Sequence, residues 1–279
     1  MKTLLSVFVF LFSLSASAQY YFKDIIGTQE SSNLVDRYRK NNVQTVTLKS
    51  YTIDNTPIEN LSVQQEFSPA AHTLRTITNN DYLPASYLTT FFDETGRILR
   101  TTDSTAGSFV NTTVYRYNNA GQVQSIMTVF GDSLSSLRSD EHIWQYDAQN
   151  RVRQMLRIKN QKDTAIVHFK LDDAGNVVEE QETVRYIKEE PVYYYYDAKN
   201  RLTDIVRYNK KAARLLPEQM FEYATNNLLV QRTTVPQNRA DYLIWRYSFD
   251  DKGLRTKEEI FDKQKELTGK VLYRYTFGN

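Results

Sequence analysis

Seven stretches of the chain carry the same short alternation. An aromatic or large apolar residue is followed by one other residue and a second large residue: Tyr115/Tyr117, Trp144/Tyr146, Phe169/Leu171, Tyr194/Tyr196, Phe221/Tyr223, Tyr247/Phe249 and Tyr273/Tyr275. The residue between is polar at Arg116, Gln145, Lys170, Glu222, Ser248 and Arg274, with Tyr195 the exception. Residues two apart on a strand share a face, so each stretch predicts a strand with one aromatic face. A few residues later a single apolar position recurs, at Ile98, Val123, Val152, Val177, Leu202 and Leu229. The segment after it is more polar, as in VVEEQETV at 177–184. The pattern predicts a hairpin with one aromatic-rich strand and one mixed strand.

Between the two strands lies a short box. YDAQN (146–150), LDDAG (171–175), YDAKN (196–200) and FDDKG (249–253) are its clearest copies; FDETG (92–96), YNNAG (117–121) and YATNN (223–227) are variants. A worn copy, FSPAA, ends at Ala71 and a last one, YTFGN, ends at Asn279. The final residues of the boxes therefore fall at 71, 96, 121, 150, 175, 200, 227, 253 and 279, in steps of 25 to 29. A fixed period of this size marks a repeat architecture. An Asp or Asn after the aromatic can bond backbone two residues on, and a terminal Gly or Asn tolerates the positive φ that follows a type I turn in a hairpin. Eight hairpins and a final half predict roughly seventeen strands. The fold class expected is all-β: tandem antiparallel hairpins in one continuous sheet. An apolar sheet face must be buried, and the sequence offers few helices to cover it, so the sheet is expected to curl on itself as an open barrel, a spiral or two layers.

These boxes resemble the YD repeat of the RHS family, whose core reads aromatic-x-Tyr-Asp-x-x-Gly-Arg-Leu. YYYDAKNRL (194–202) and WQYDAQNRV (144–152) are the nearest copies, and YRYNNAGQV (115–123) and TFFDETGRI (90–98) are looser. The resemblance spans about 60–279 and implies a long antiparallel sheet of consecutive hairpins coiled into a spiral or shell. Large members enclose a toxic cargo domain in such a shell. Here the array runs to the last residue, and small secreted YD-repeat proteins of Gram-negative bacteria are the nearer comparison.

The ends modify this picture. MKTLLSVFVFLFSLSASAQ opens the chain with Lys2, an apolar run from Leu4 to Leu14 and the small residues Ala16-Ser17-Ala18. That order predicts a secretory leader over 1–18, too short to span a bilayer, with cleavage before Gln19. The chain has no Cys, so it carries no disulfide framework and no lipidated cysteine, and a periplasmic or extracellular protein that is not a lipoprotein is expected. Residues 19–59 do not repeat. Asn33 to Arg39 has helix-compatible spacing with Ser31 or Ser32 as N-cap, and VQTVTLKSYTI (43–53) alternates like a strand. A short helix and a strand capping the first hairpin are expected, followed by the array over 60–279.

Candidate chemistry is sparse. Lys and Arg total 35 against 33 acidic residues, without a basic cluster that would suit nucleic acid. Asp93, Asp147, Asp172, Asp197 and Asp250 could line an edge as calcium ligands or paired acids, but turn chemistry explains them more simply. His72, His142 and His168 lack zinc spacing. GDSLSS (131–136) spells a hydrolase motif in an extra loop, without the α/β fold that motif needs. Arg97, Arg151 and Arg201 are expected on solvated turns. No cofactor is implied, and no nucleophile, base and orienter set is present, so a non-catalytic structural or binding role in the bacterial envelope is expected. Two alternatives are open. One is an outer-membrane β-barrel, opposed by Arg151, Arg153 and Arg157 on one strand face and by Glu179, Glu180 and Glu182 crowding another. The other is a carbohydrate-binding protein using exposed aromatics, with Tyr193 and Tyr195 as ligand-binding residues if the odd-numbered tyrosines of 186–196 face outward. A glycan or another envelope protein is the expected partner; a membrane is not.

Overall fold

The computed structural model describes residues 20–105, 110–131, 138–235 and 241–278. The leader at 1–18, Ser133-Leu134 with the rest of GDSLSS after Gly131, and the final Asn279 lie outside the described residues.

Among the described residues one helix, α1 (Lys23–Lys40), comes first and is followed by nineteen strands. Those of the first half are β1 (Val43–Tyr51), β2 (Leu61–Ser68), β3 (Thr73–Asn80), β4 (Leu83–Phe92), β5 (Ile98–Thr105), β6 (Val110–Tyr117), β7 (Val123–Phe130), β8 (Arg138–Tyr146), β9 (Val152–Lys159) and β10 (Asp163–Leu171). The rest are β11 (Val177–Val184), β12 (Ile187–Lys188), β13 (Val192–Tyr196), β14 (Leu202–Asn209), β15 (Arg214–Tyr223), β16 (Leu229–Thr234), β17 (Leu243–Phe249), β18 (Arg255–Phe261) and β19 (Leu267–Phe277). Setting aside β12, a two-residue spur on β11, each strand is antiparallel to the next in the chain.

The array expected from the repeats accounts for seventeen of these strands. The eighteenth, β1, overturns the expectation of an open, spiral or two-layer sheet. It pairs with β2 through Thr45–Leu48 and with β19 along Val43–Tyr51, so the sheet closes into an eighteen-stranded antiparallel barrel. An open array would leave β2 and β19 as unpaired edges, and β1 satisfies both. The strand read at 43–53 therefore does not cap the first hairpin; it joins the first to the last.

The eight predicted boxes that end at 71 to 253 are the tips of hairpins, and all lie on one end of the barrel, the box rim, while the last, from Tyr275, lies at the end of β19 and turns no hairpin. Gly96, Gly121, Asn150, Gly175, Asn200, Asn227 and Gly253 all have positive φ, as their turns require. In the worn first copy the positive φ falls on His72, one residue past Ala71. A further copy, Phe261-Asp262-Lys263-Gln264-Lys265, turns β18 into β19 on the opposite end, the far rim, with Lys265 at φ 64°. Its Lys in place of Gly or Asn hid it from the pattern. After every box turn but the worn first one a bulge follows, and it sets Phe92 opposite Ile98, Tyr117 opposite Val123 and Tyr196 opposite Leu202.

The aromatic face points inward. Trp144, Tyr194, Trp245 and Tyr247 are buried, while the polar residues between, Arg116, Gln145, Lys170, Glu222 and Arg274, are exposed. Three inward charges depart from the faces the alternation predicts. Arg157 and the pair Glu180 and Glu182 face the interior, because the bulge after Tyr146 and the one after Leu171 shift the phase of β9 and β11. Glu179 remains outside, paired with Lys170 at 2.7 Å.

Candidate functional site: the occupied lumen

Helix α1 is longer than expected and starts eight residues before Ser31, so neither Ser31 nor Ser32 is its N-cap. It also does not cap the array from outside. Its side chains meet strands from around the ring, so it lies inside the barrel. Val35 and Tyr38 pack with Val46, Val63, Phe67, Phe92, Leu254 and Val271, while Tyr21 packs with Val123, Trp144, Met155, Val167 and Tyr194. Gln29, Glu30 and Asn33 stay exposed, so one side of the helix is packed and the other is wet.

The entry of the helix carries no cap from its own sequence. The Glu180 carboxylate of β11 supplies one, accepting from the Tyr21 N–H at 2.7 Å and the Phe22 N–H at 2.9 Å. These donors and the positive end of the helix dipole suit an anion. The Tyr194 hydroxyl donates to the same carboxylate at 2.7 Å. Burial raises Glu180 to about 6, against these three hydrogen bonds and the Arg207 charge, which pull it down.

A second contact holds the first turn. Asp24 meets the His142 ring at 2.5 Å, and Asp140 lies 3.5 Å from its other nitrogen. Burial alone would lower His142, but the Asp24 carboxylate, helped by Asp140, lifts it to about 9. Arg157 extends the cluster to Asp140, to Glu182 and to the Tyr21 hydroxyl, all at 3.1–3.3 Å. The other end of the helix is basic, as its dipole favours: Arg39 donates to the Asp93 carbonyl and lies over the Phe92 ring, and the Tyr38 hydroxyl donates to Gln65 at 2.7 Å.

The repeats contribute a different device. The box tyrosine of one hairpin donates to a backbone carbonyl of the hairpin before it: Tyr117 to Ile98, Tyr146 to Val123, Tyr196 to Val177, Tyr223 to Leu202 and Tyr275 to Arg255, at 2.7–2.9 Å. Phe92, Leu171 and Phe249 hold this position at three other seams and have no hydroxyl. The Arg after the box adds a second link. Arg97 and Arg201 donate through Nε to their own Asp93 and Asp197 and lie over the rings of Tyr117 and Tyr223 in the next hairpin. Arg151 is likewise bound to Asp147 of its own turn; Arg97 and Arg151 lie on solvated turns as expected, and Arg97 and Arg201 also bridge to the next hairpin.

The other sequence candidates disperse. Asp93, Asp147, Asp172, Asp197 and Asp250 each accept backbone N–H groups of their own turns. Among the described residues no group of three His, Cys, Asp or Glu side chains could hold a metal ion. His168 is exposed on the outer wall and His72 packs on Phe92. Tyr193 and Tyr195 do face outward, with Tyr195 49% exposed and Tyr194 buried between them. The cluster of Asp24, His142, Arg157 and Glu180 was missed. Its signal in the sequence was charge on the inner face, but a bulge of one residue hides which face that is.

No family model matches the chain, and no curated protein matches it. Among solved structures, a porin-like protein from Bacteroides uniformis is 12% identical with a TM-score of 0.44, over 84% of this chain and 98% of that one. A porin-like protein from Bacteroides vulgatus is 12% identical with a TM-score of 0.25, over 85% and 99%. The Photorhabdus luminescens Tc holotoxin pore is 9% identical with a TM-score of 0.30, over 77% of this chain and 16% of that one. At these scores the likenesses carry no argument, and the closed barrel rests on the strand pairing itself.

Proposed function

We propose that this chain is an exported, non-catalytic protein of the bacterial envelope that works as a closed barrel with an occupied lumen, standing in water and offering its outer wall and rims to a partner. The closed barrel is the architecture of the outer-membrane alternative, but the surface chemistry favours the aqueous setting. The observation that carries this is the outer wall. Gln64, Glu66 and Arg75 are exposed on β2 and β3, and Lys170 pairs with Glu179 across β10 and β11. Gln154 donates to Gln145 at 2.8 Å, Arg246 to Gln231 at 3.0 Å, and Lys257 pairs with Glu259 at 2.9 Å. Polar pairs therefore recur around the ring where a spanning barrel keeps an apolar band, and each Arg or Lys facing lipid at mid-height costs about 2–4 kcal/mol. The lumen is equally unlike a pore, since α1 is pinned in it at both ends. The resemblance to YD repeats agrees with a soluble shell of hairpins.

The chain expressed without residues 1–18 tests this. It is expected to stay soluble without detergent, as a monodisperse species with a sheet-dominated circular dichroism spectrum. Folding only in detergent micelles, with heat-modifiable mobility on gels, would establish the outer-membrane reading instead. Carbohydrate binding is a second reading, favoured by the exposure of Tyr195 beside Tyr193 on the wall. A glycan-array hit lost in Tyr193→Ala/Tyr195→Ala, with the fold kept, supports it.

A further inference from the structure

The two rims differ in what they expose. The box rim is made chiefly of Asp, Asn, Gly and Lys turns, with Phe277 exposed at the end of β19. The far rim carries large apolar side chains at its tips. Tyr186 is 100% exposed and Ile187 67%, in the spur after β11; Tyr82 is 77% and Leu83 68%, between β3 and β4. Tyr208 and Leu215 face each other across the β14–β15 hairpin and are 41% and 43% exposed. Isolated exposed apolar residues need no explanation, but their gathering on one end of a barrel does.

Tyr186 is the most informative of them. With Arg185 it forms the two-residue tip joining β11 to β12, and both have positive φ, at 47° and 69°. Such a tip strongly favours Asn-Gly or Asp-Gly, and a bulky residue there costs conformational energy. The protein holds an aromatic ring in that position with nothing packed on it, so the fold gains nothing from the choice.

The charges around Tyr186, Ile187, Tyr208 and Leu215 have one dominant sign. Lys162, Arg185, Lys188, Lys210, Lys211 and Arg214 are exposed on the β9–β10, β11–β13 and β14–β15 loops, which are consecutive on this rim. They outnumber the exposed carboxylates of the same loops, Asp163, Glu189 and Glu190. Aromatic and aliphatic tips set in an arc of cations fit the interface of an anionic bilayer, where tyrosine seats at headgroup depth and each lysine or arginine gains from the surface potential.

We propose that the far rim is a membrane-docking crown, which seats the barrel end-on on an anionic lipid surface through Tyr186, Ile187, Tyr208 and Leu215 and the cations around them. This rests on the wall staying in water, since an inserted barrel would have no use for such a crown.

Co-sedimentation with vesicles tests it, using phosphatidylcholine alone or with about one third phosphatidylglycerol. The protein is expected to bind the anionic vesicles, to bind the neutral ones at least about tenfold less, and to be released by high salt and by alkaline carbonate. Tyr186→Asn/Ile187→Thr and Lys210→Glu/Lys211→Glu are each expected to reduce binding about tenfold or more without changing the unfolding midpoint. Asn suits the positive φ at 186, so the first variant keeps the turn. Lys199→Glu on the box rim should bind as the unaltered protein does. Absence of vesicle binding, or binding indifferent to both far-rim variants, overturns the crown and turns attention to a protein partner for these tips. Carbonate-resistant association that survives the far-rim variants would instead overturn the aqueous wall, so the two failures are distinct.

Discussion

The two ends of the barrel are built on different principles. At the box rim one short sequence is used again and again: a tyrosine latched to the previous hairpin, an aspartate closing its own turn, and a Gly or Asn with positive φ. The described loops of the far rim differ in length, charge and conformation, and among them no shared motif recurs except at Asp262. The lumen repeats the contrast. Recurrent aromatics line it toward the box rim, while single residues, Glu180 and His142 among them, fix the entry of α1. Repetition builds the wall, and the unrepeated residues decide what the wall holds and meets. The contrast makes a graded claim: the largest effects on stability should come from the unrepeated lumen contacts, the smallest from the exposed far rim.

Glu180→Ala tests the strongest contact. It removes the acceptor of the Tyr21 N–H and the Tyr194 hydroxyl, both buried, and of the partly buried Phe22 N–H. Leaving buried donors unpaired costs about 1–3 kcal/mol each, partly relieved by water, so a loss of about 3–5 kcal/mol in urea unfolding is expected. A loss below about 1 kcal/mol would mean that the helix is not held where it enters.

The pH dependence follows from the same place. His142 has its pKa raised to about 9 in the folded protein, above its ordinary value of 6.5. The stability it contributes is therefore fully present below pH 6.5 and is lost as pH rises toward 9, up to about 3 kcal/mol. Glu180 is also raised, to about 6, so its charging costs stability between about pH 4.5 and 6. Both steps run in one direction, and stability should fall in two stages from weakly acid to alkaline solution. His142→Gln should abolish the upper stage and keep the lower. A profile flat from pH 6.5 to 9 in the unaltered protein would exclude a charged His142 between Asp24 and Asp140.

How much of this was legible in the sequence follows the same division. Residues under repetition could be read: the positive φ at Gly96 or Asn200, the inward Tyr194 and outward Tyr195, and the seventeen strands of the array follow from spacing and alternation alone. Closure could not be read, because it depends on β1, a strand of ordinary alternating sequence whose partners lie at the two extremes of the chain. Nor could the helix be placed, since Glu180 caps it from 158 residues away. The inward direction of Arg157 was misread because a one-residue bulge reverses every later face of the strand.

The repeated parts should show intermediate and uniform effects. Gly96→Ala forces a residue with a Cβ to φ 89°, with Val35 3.5 Å from that Cβ, and about 1–2 kcal/mol is expected to be lost. Tyr196→Phe removes one latch to the Val177 carbonyl and should cost about 0.5–1.5 kcal/mol, with a similar value for Tyr117→Phe at another seam. Since Leu171 and Phe249 already lack the hydroxyl, Leu171→Tyr and Phe249→Tyr provide the converse, a gain where the seam can accept one. Unequal costs for Tyr117→Phe and Tyr196→Phe, beyond about 1 kcal/mol, would mean that the seams are not equivalent and that the repeat is less regular than its sequence.

The smallest effect belongs to the far rim. Tyr186 is fully exposed at positive φ. Replacing it with Asn removes no packing and relieves the backbone, so Tyr186→Asn should leave stability unchanged or raise it by a few tenths of a kcal/mol in thermal or urea unfolding. A residue kept for the fold cannot behave this way. Neutral or improved stability, together with a change in what the protein binds, would place the selection on Tyr186 outside the barrel's own energetics. A loss of more than about 1 kcal/mol would instead make the tip part of the framework, and the contrast between a repeated wall and an unrepeated, outward-turned rim would have to be drawn elsewhere.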